Sequence, residues 1–399
     1  MAFSTSAPPW GFFGHRKINR QAVFTLPPEM MYFFKTNIDF LTEHAVDPDK
    51  RRYASKFEAV RHYIDLDVHG EPPFDNLPRN WPDALLRFSD FYFINNVGDT
   101  LELAERDPLG HFIQNDGKIA LHPALAETAQ SVGAKDFRYF FIKEFLPNYY
   151  EEEWTASPDS LARLLRIGSG SLHCQKLFAV DHLSEHGILP WNLQSMLFRL
   201  TRAFSEGDPN RIRHYAADIG HYIGDAHVPL HTTENYNGQL TGQLGIHAFW
   251  ESRLPELFAD DNYDFWVGKA QMIEDPETYF WDIVMESHSY VDSVLAIELD
   301  LRQHFPSDQQ MCHEMRNGVL TRTQCEAMAA AYSKRMDGMV EDRMRKAILA
   351  VGSVWYTAWV LAGQPDLSAL GQEVALVDSI DLQLDKAVKK GTIKGRKHE

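Results

Sequence analysis

The chain reads as all-α, a single multi-helix domain with long loops, and three observations predict this. Apolar residues recur at three- and four-residue steps through 28–44, 191–206, 210–226 and 327–362, the period of a helix that buries one face. Alternating polar and apolar runs, which mark half-buried strands, are scarce. Clusters of Pro, Gly and Asp at AVDPDK, HGEPPFDNLP, SEGDPN, TTENYNGQLTGQLG and AGQPDL punctuate the helices as loops.

Among these segments, 210–226 has the clearest boundaries. Asp208 and Pro209 supply an N-cap and a first-turn proline, and the helix runs through RIRHYAADIGHYIGDAH until Pro229 disrupts it. The last segment contains AILAVGSVWYTAWVLAG, uncharged over 347–363 and at the short edge of membrane-spanning length. Its Gly, Ser and Thr content, and Arg343, Arg345 and Lys346 read as a solvated helix start, make it a core helix. No repeat of solenoid length occurs. The domain is expected to span 10–370. The basic tail 371–399, which includes KAVKKGTIKGRKHE and is poor in large apolar residues, is expected to lie solvated outside it.

With 399 residues, 44% of them hydrophobic, the chain has ample material for a large core. Its 56 acidic against 39 basic residues leave a net charge of -17, which excludes a protein that coats nucleic acid. A phosphate-ester substrate is still allowed, because bound dications reverse the sign locally. Cys174, Cys312 and Cys325 form no CxxC pattern. A Cys312–Cys325 bridge is open to the chain, but free buried thiols are the expectation for an ordinary large domain. The opening MAFSTSAPPW has neither a basic nor an apolar region of a secretory signal.

The chemistry concentrates in HYIGDAHVPLH, residues 221–231. His214, Asp218, His221 and Asp225 follow at steps of four, three and four, so they share one helical face. An unpaired buried carboxylate costs several kcal/mol or is neutralised, so this face needs a partner. A single pair would be satisfied by a His–Asp hydrogen bond. Here, however, His231 follows a chain-turning proline, and GIHAFWESRLPE places His247 and Glu251 again one turn apart. Two such faces, joined by a Gly- and Asn-rich loop with a further His between them, have metal-site spacing. His227, lying between these ligands, is expected to orient one of them at most. Tyr63, Phe12 and Phe13 neighbour proposed ligands and would line a pocket or simply belong to the core.

The runs HYIGDAHVPLH and HAFWES resemble motifs of the superfamily that contains bacterial zinc-dependent phospholipase C and the single-strand-specific zinc nucleases, which are all-α enzymes with three zinc ions. The resemblance extends to WGFFGH, with Trp10 and His15, and to VDPDKRRYASKFEAVRHYID, with Asp47 and His62. It implies one zinc held by Asp47, His62, His221 and Asp225. A second would be held by Trp10, His15 and the bridging Asp225, and a third by His231, His247 and Glu251. Asp49 competes with Asp47 for its place, and spacing favours Asp47. Nine residues precede Trp10, whereas the family's Trp is the mature N-terminus and binds through its α-amino group.

The resemblance further implies hydrolysis of phosphate esters by a metal-bound hydroxide attacking phosphorus in line, with Asp225 and Asp47 at its heart. No GxSxG or GxxxxGK[ST] motif proposes another nucleophile. The substrate would be a phospholipid, with a peripheral membrane contact, or a single-stranded nucleic acid. Glu251 and the lack of a GGN run in NYNGQLTGQLG lean toward phospholipase C, while the short gap of WGFFGH is nuclease-like. Family habit implies a secreted or periplasmic protein, although no signal segment is visible. A non-catalytic helical zinc protein is the alternative from another class. It is disfavoured because structural zinc sites are usually closed and rich in cysteine.

Overall fold

The computed structural model describes residues 12–370 apart from 108–109, 317 and 369. Trp10 and the tail 371–399 therefore lie outside the described residues. The chain divides into two compact units, one built from the residues up to Val68 and from Gly187 onward, the other from His69–His186.

The larger unit is helical. Its centre is the helix Pro209–Ala226, started by the Asp208 side chain accepting from the amides of Asn210 and Arg211. Helices Phe12–Ala22, Leu189–Glu206 and Met339–Leu361 pack around it. Ile212, Ala216, Ile219 and Ile223 are buried along it, and the indole of Trp355 donates to the Ala216 carbonyl at 3.0 Å. The expected helix over 327–362 is two helices, Glu326–Arg335 and Met339–Leu361, divided at Gly338, whose φ of +79° only glycine adopts readily. The uncharged stretch after Lys346 is core, with Ala347, Ile348, Val354 and Trp355 fully buried. Among the described residues no helix is long and apolar enough to cross a membrane. Arg343 is not solvated as the sequence suggested. It is buried, bonded to Glu286, Ser287 and the carbonyl of His227.

The all-α expectation is wrong: the protein is mixed α/β, with three antiparallel sheets. Two of them lie in the smaller unit. One runs in the order Thr100–Glu102, Ser89–Ile94, Lys176–Asp181, Thr155–Ala156, and the other joins Gln114–Asn115, Lys118–Ala120 and Ser131–Gly133. Phe91, Phe137, Phe141, Phe145 and Trp154 pack edge to face beneath the first sheet.

These strands hide in the sequence for a physical reason. SDFYFI alternates in burial, but its outward positions Tyr92 and Ile94 are also apolar, and Tyr92 stacks on Phe178 of the neighbouring strand. The period of two is therefore erased. The third sheet is the hairpin Met311–Arg316 with Val319–Gln324 in the larger unit, whose sequence signal is the turn-favouring dipeptide Asn317-Gly318. Here Cys312 and Cys325 are bridged, contrary to the free thiols expected. Pairing of Cys312 with Thr323 brings the two Cα atoms to 4.9 Å, within disulfide reach.

Candidate metal centre

Every ligand-type residue expected between His15 and Glu251, save one, converges on a single buried place in the larger unit. The ligand helix presents His221 and Asp225 one turn apart, both buried. Gly220 and Gly224 occupy the adjacent positions because the helix Phe12–Ala22 crosses there. A methyl on Gly224 would stand 2.7 Å from Nδ1 of His15. The helix ends at Ala226, and the 3-10 turn Pro229–Thr232 folds His231 back toward it. The amide of Ile64 donates to the His231 carbonyl at 2.9 Å, which ties the segment of His62 to that turn. His247 and Glu251 flank the start of a π-helical turn, Phe249–Arg253, a local form that recurs at functional sites.

Asp225 divides the centre. Its Oδ2 is 3.0 Å from Nδ1 of His62 and 3.3 Å from Nε2 of His221. Its Oδ1 is 3.4 Å from Nε2 of His15 and 3.5 Å from Nε2 of His231. Glu251 does the same on the other side, with Oε1 3.3 Å from His15 Nε2, and Oε2 2.7 Å from His247 and 3.5 Å from His231. Two atoms held at about 2.1 Å by one tetrahedral ion stand about 3.4 Å apart, so these separations suit dications.

Electrostatics agree with that fit. Burial would lift the carboxyls of Asp225 and Glu251, yet the facing imidazoles hold both well below the carboxylate range. Burial keeps His62 and His247 below the ordinary imidazole range, the neutral form that a metal requires. Against the same burial, Asp225 and Glu251 drive His15 up to about 10, the response of an imidazole to a site with surplus negative charge. Buried nitrogens without a hydrogen-bond partner, His15 Nδ1 and His62 Nε2, also belong to this cluster.

Outer contacts aim the rings. Nδ1 of His221 donates to the Ala45 carbonyl at 2.8 Å and Nδ1 of His247 to the Tyr236 carbonyl at 3.1 Å, so each Nε2 is left with its lone pair facing the centre. Behind His62 lies Glu58, 3.9 Å from its Nε2 and bonded to Tyr222, Arg51 and Arg61. Arg51 also binds Asp218 at 3.0 Å, so Asp218 belongs to this outer layer. Glu58 stands one turn before His62, a spacing that is the only sign of it in the sequence.

The exception is Asp47. In the short helix Asp47–Arg51 its carboxylate turns to Nδ1 of His44 at 2.5 Å and to Lys50 at 2.8 Å, away from His62. Asp49 takes the inner place, with Oδ1 3.9 Å from His62 Nδ1 and 3.8 Å from His221 Nε2. Two residues along a helix rotate a side chain by about 200°, so only one of the pair can face inward. Spacing along the chain could not tell which. His227 does not reach the ligands. Its Nδ1 bonds to Ile223 of its own helix at 2.7 Å, and burial beside Arg343 holds it well below the imidazole range.

Among the described residues, His15 with His221 and Asp225, Asp49 with His62 and His221, and His231 with His247 and Glu251 each bring ligand atoms within 4.8 Å of one another. No protein-family model, curated protein or solved structure matches the chain.

Proposed function

We propose that this protein is a zinc-dependent hydrolase of phosphate esters with a phospholipase C-like substrate. The observation that carries the reading is the division of Asp225 between two groups of buried imidazoles, with Glu251 answering it from the opposite side. Asp49, His62, His221 and Asp225 would hold one zinc, and His231, His247 and Glu251 another. His15 and Asp225 would serve the third, together with Trp10.

Bound zinc supplies Lewis acidity toward water and toward a phosphoryl oxygen. The chain's own part is to keep the carboxylates of Asp225 and Glu251 ionised and the imidazoles of His62 and His247 neutral. It also fixes the ring orientations through the carbonyls of Ala45 and Tyr236. A sulfur-free donor set with shared carboxylates supports exchangeable, catalytic ions over closed structural ones. The Cys312–Cys325 bridge supports a setting more oxidising than the cytosol.

Glu251 and the missing GGN run favour a phospholipid. The short WGFFGH gap favours the second reading, a single-strand-specific nuclease. Parallel assays on phosphatidylcholine in mixed micelles and on single-stranded DNA, with and without chelator, test both. Chelator-sensitive cleavage of the lipid is the expected result. Cleavage of DNA alone would transfer the reading to the nuclease, and full activity after proven removal of metal would end both.

A further inference from the structure

Asp47, turned away from the buried centre, has company of its own. His44 lies three residues before it, and His214 reaches the same place from the ligand helix. Ligand atoms of all three lie within 4.8 Å of one another. His44 and His214 are half-buried and Asp47 is buried, so the cluster opens toward solvent at one side. The ring of Phe40 stacks on His44 at 3.9 Å and meets His214 edge-on at 4.9 Å, which holds both imidazoles against one aromatic wall.

His214 precedes His221 by seven residues, two helical turns or about 10 Å, on the same face. The segment 44–51 alternates between the two places: His44, Asp47 and Lys50 face outward, while the Ala45 carbonyl, Asp49 and Arg51 serve the buried centre and its outer layer.

We propose that His44, Asp47 and His214 form a separate, exchangeable site for one zinc-type dication beside the buried centre. Two imidazoles and a carboxylate are the donors that a borderline cation prefers, and three protein ligands leave a coordination position for water. Oxygen-seeking Mg²⁺ or Ca²⁺ would find too few oxygens here. Lys50, on the far oxygen of Asp47 at 2.8 Å, places a like charge beside the ion and weakens its hold, which makes the site exchangeable. The site does not depend on the phosphoesterase reading.

The test is a zinc count in two stages. The full chain is dialysed against a mild chelator, and its retained zinc is measured by elemental analysis. Free Zn²⁺ is then titrated back by calorimetry. Wild type should take up one further equivalent. His44→Ala and His214→Ala should each abolish that equivalent while the retained zinc and the circular dichroism stay unchanged. Lys50→Met should bind it about tenfold more tightly, the effect of removing one nearby like charge.

If His214→Ala perturbs folding, His44→Ala on the rim decides alone. No further equivalent in wild type overturns the site, as does an equivalent that persists at unchanged affinity in both histidine variants. Absence of retained zinc would instead count against the buried centre, and the His44-dependent equivalent would still decide this proposal.

Discussion

Oδ2 of Asp225 stands 3.0 Å from Nδ1 of His62, a residue 163 positions earlier in the chain. That contact and its counterpart from Oδ1 to His15 make Asp225 a carboxylate shared by both groups of imidazoles. Asp225→Asn keeps the shape but removes the charge and turns one acceptor into a donor. If the protein is the phosphoesterase proposed above, this variant should lower phosphodiesterase activity by more than about 100-fold, with zinc lost in parallel. Elemental analysis of the purified variant checks this, and a full zinc complement would contradict the bridging role.

Asp49 and Asp47 are separable by substitution. Asp49→Asn should lose tightly held zinc, because its carboxylate faces His62 and His221. Asp47→Asn should keep that zinc, because its carboxylate is spent on His44 and Lys50. Zinc retained after dialysis is the readout, and the reverse pattern would restore Asp47 to the buried centre.

The glycines of HYIGDAH answer to the same geometry. Gly224→Ala places a methyl 2.7 Å from His15 Nδ1 and should lower stability by about 1–3 kcal/mol while disturbing the His15 side of the centre. Gly170→Ala, with nothing within 4 Å and no positive φ, serves as the neutral control. Melting temperature and zinc content of the two variants, compared side by side, test the close approach.

Acid should expose the layer behind His62. Burial opposes ionisation of Glu58, but Arg51 and Arg61 beside it lower its pKa from the ordinary 4.5 to about 2. A carboxylate whose folded-state pKa is depressed stabilises the protein fully above the unfolded value and loses that contribution as pH falls through the folded one. The window is therefore from about 4.5 down to about 2, with a contribution on the order of 3 kcal/mol. Glu58→Gln should be less stable near neutral pH and show a flatter decline in acid, measured by urea unfolding. An equally steep decline would remove Glu58 from the account.

The hairpin bridge closes a loop with a sequence separation of 13. Replacing both Cys312 and Cys325 by Ser should lower unfolding free energy by about 3 kcal/mol without changing zinc content. A loss of zinc would show that the hairpin supports the centre through Arg253, which donates to Glu314 and to the Gln324 carbonyl from the turn that carries Glu251.

Much of the centre was legible because helices carry ligands at fixed steps. His221 and Asp225, and His247 and Glu251, declare themselves by spacing alone. Asp49 was not legible, because choosing between two acids two residues apart requires the rotation of a five-residue helix that begins at Asp47 itself. Two of the long amphipathic segments became single helices close to their expected bounds, Leu189–Glu206 and Pro209–Ala226, whereas 28–44 and 327–362 are each divided in two. The sheets escaped notice because strands of two or three residues are too short to show an alternation, while the longer Ser89–Ile94 and Lys176–Asp181 carry apolar side chains on both faces.

The excursion His69–His186 separates the ligands in time as well as along the chain. During synthesis His15, Asp49 and His62 leave the ribosome before the whole smaller unit, and His221 through Glu251 emerge only after it. The early half therefore lacks the partners that complete the cluster until Glu251 has been made. If the centre holds zinc as proposed, its loading is a late event that follows the emergence of Glu251.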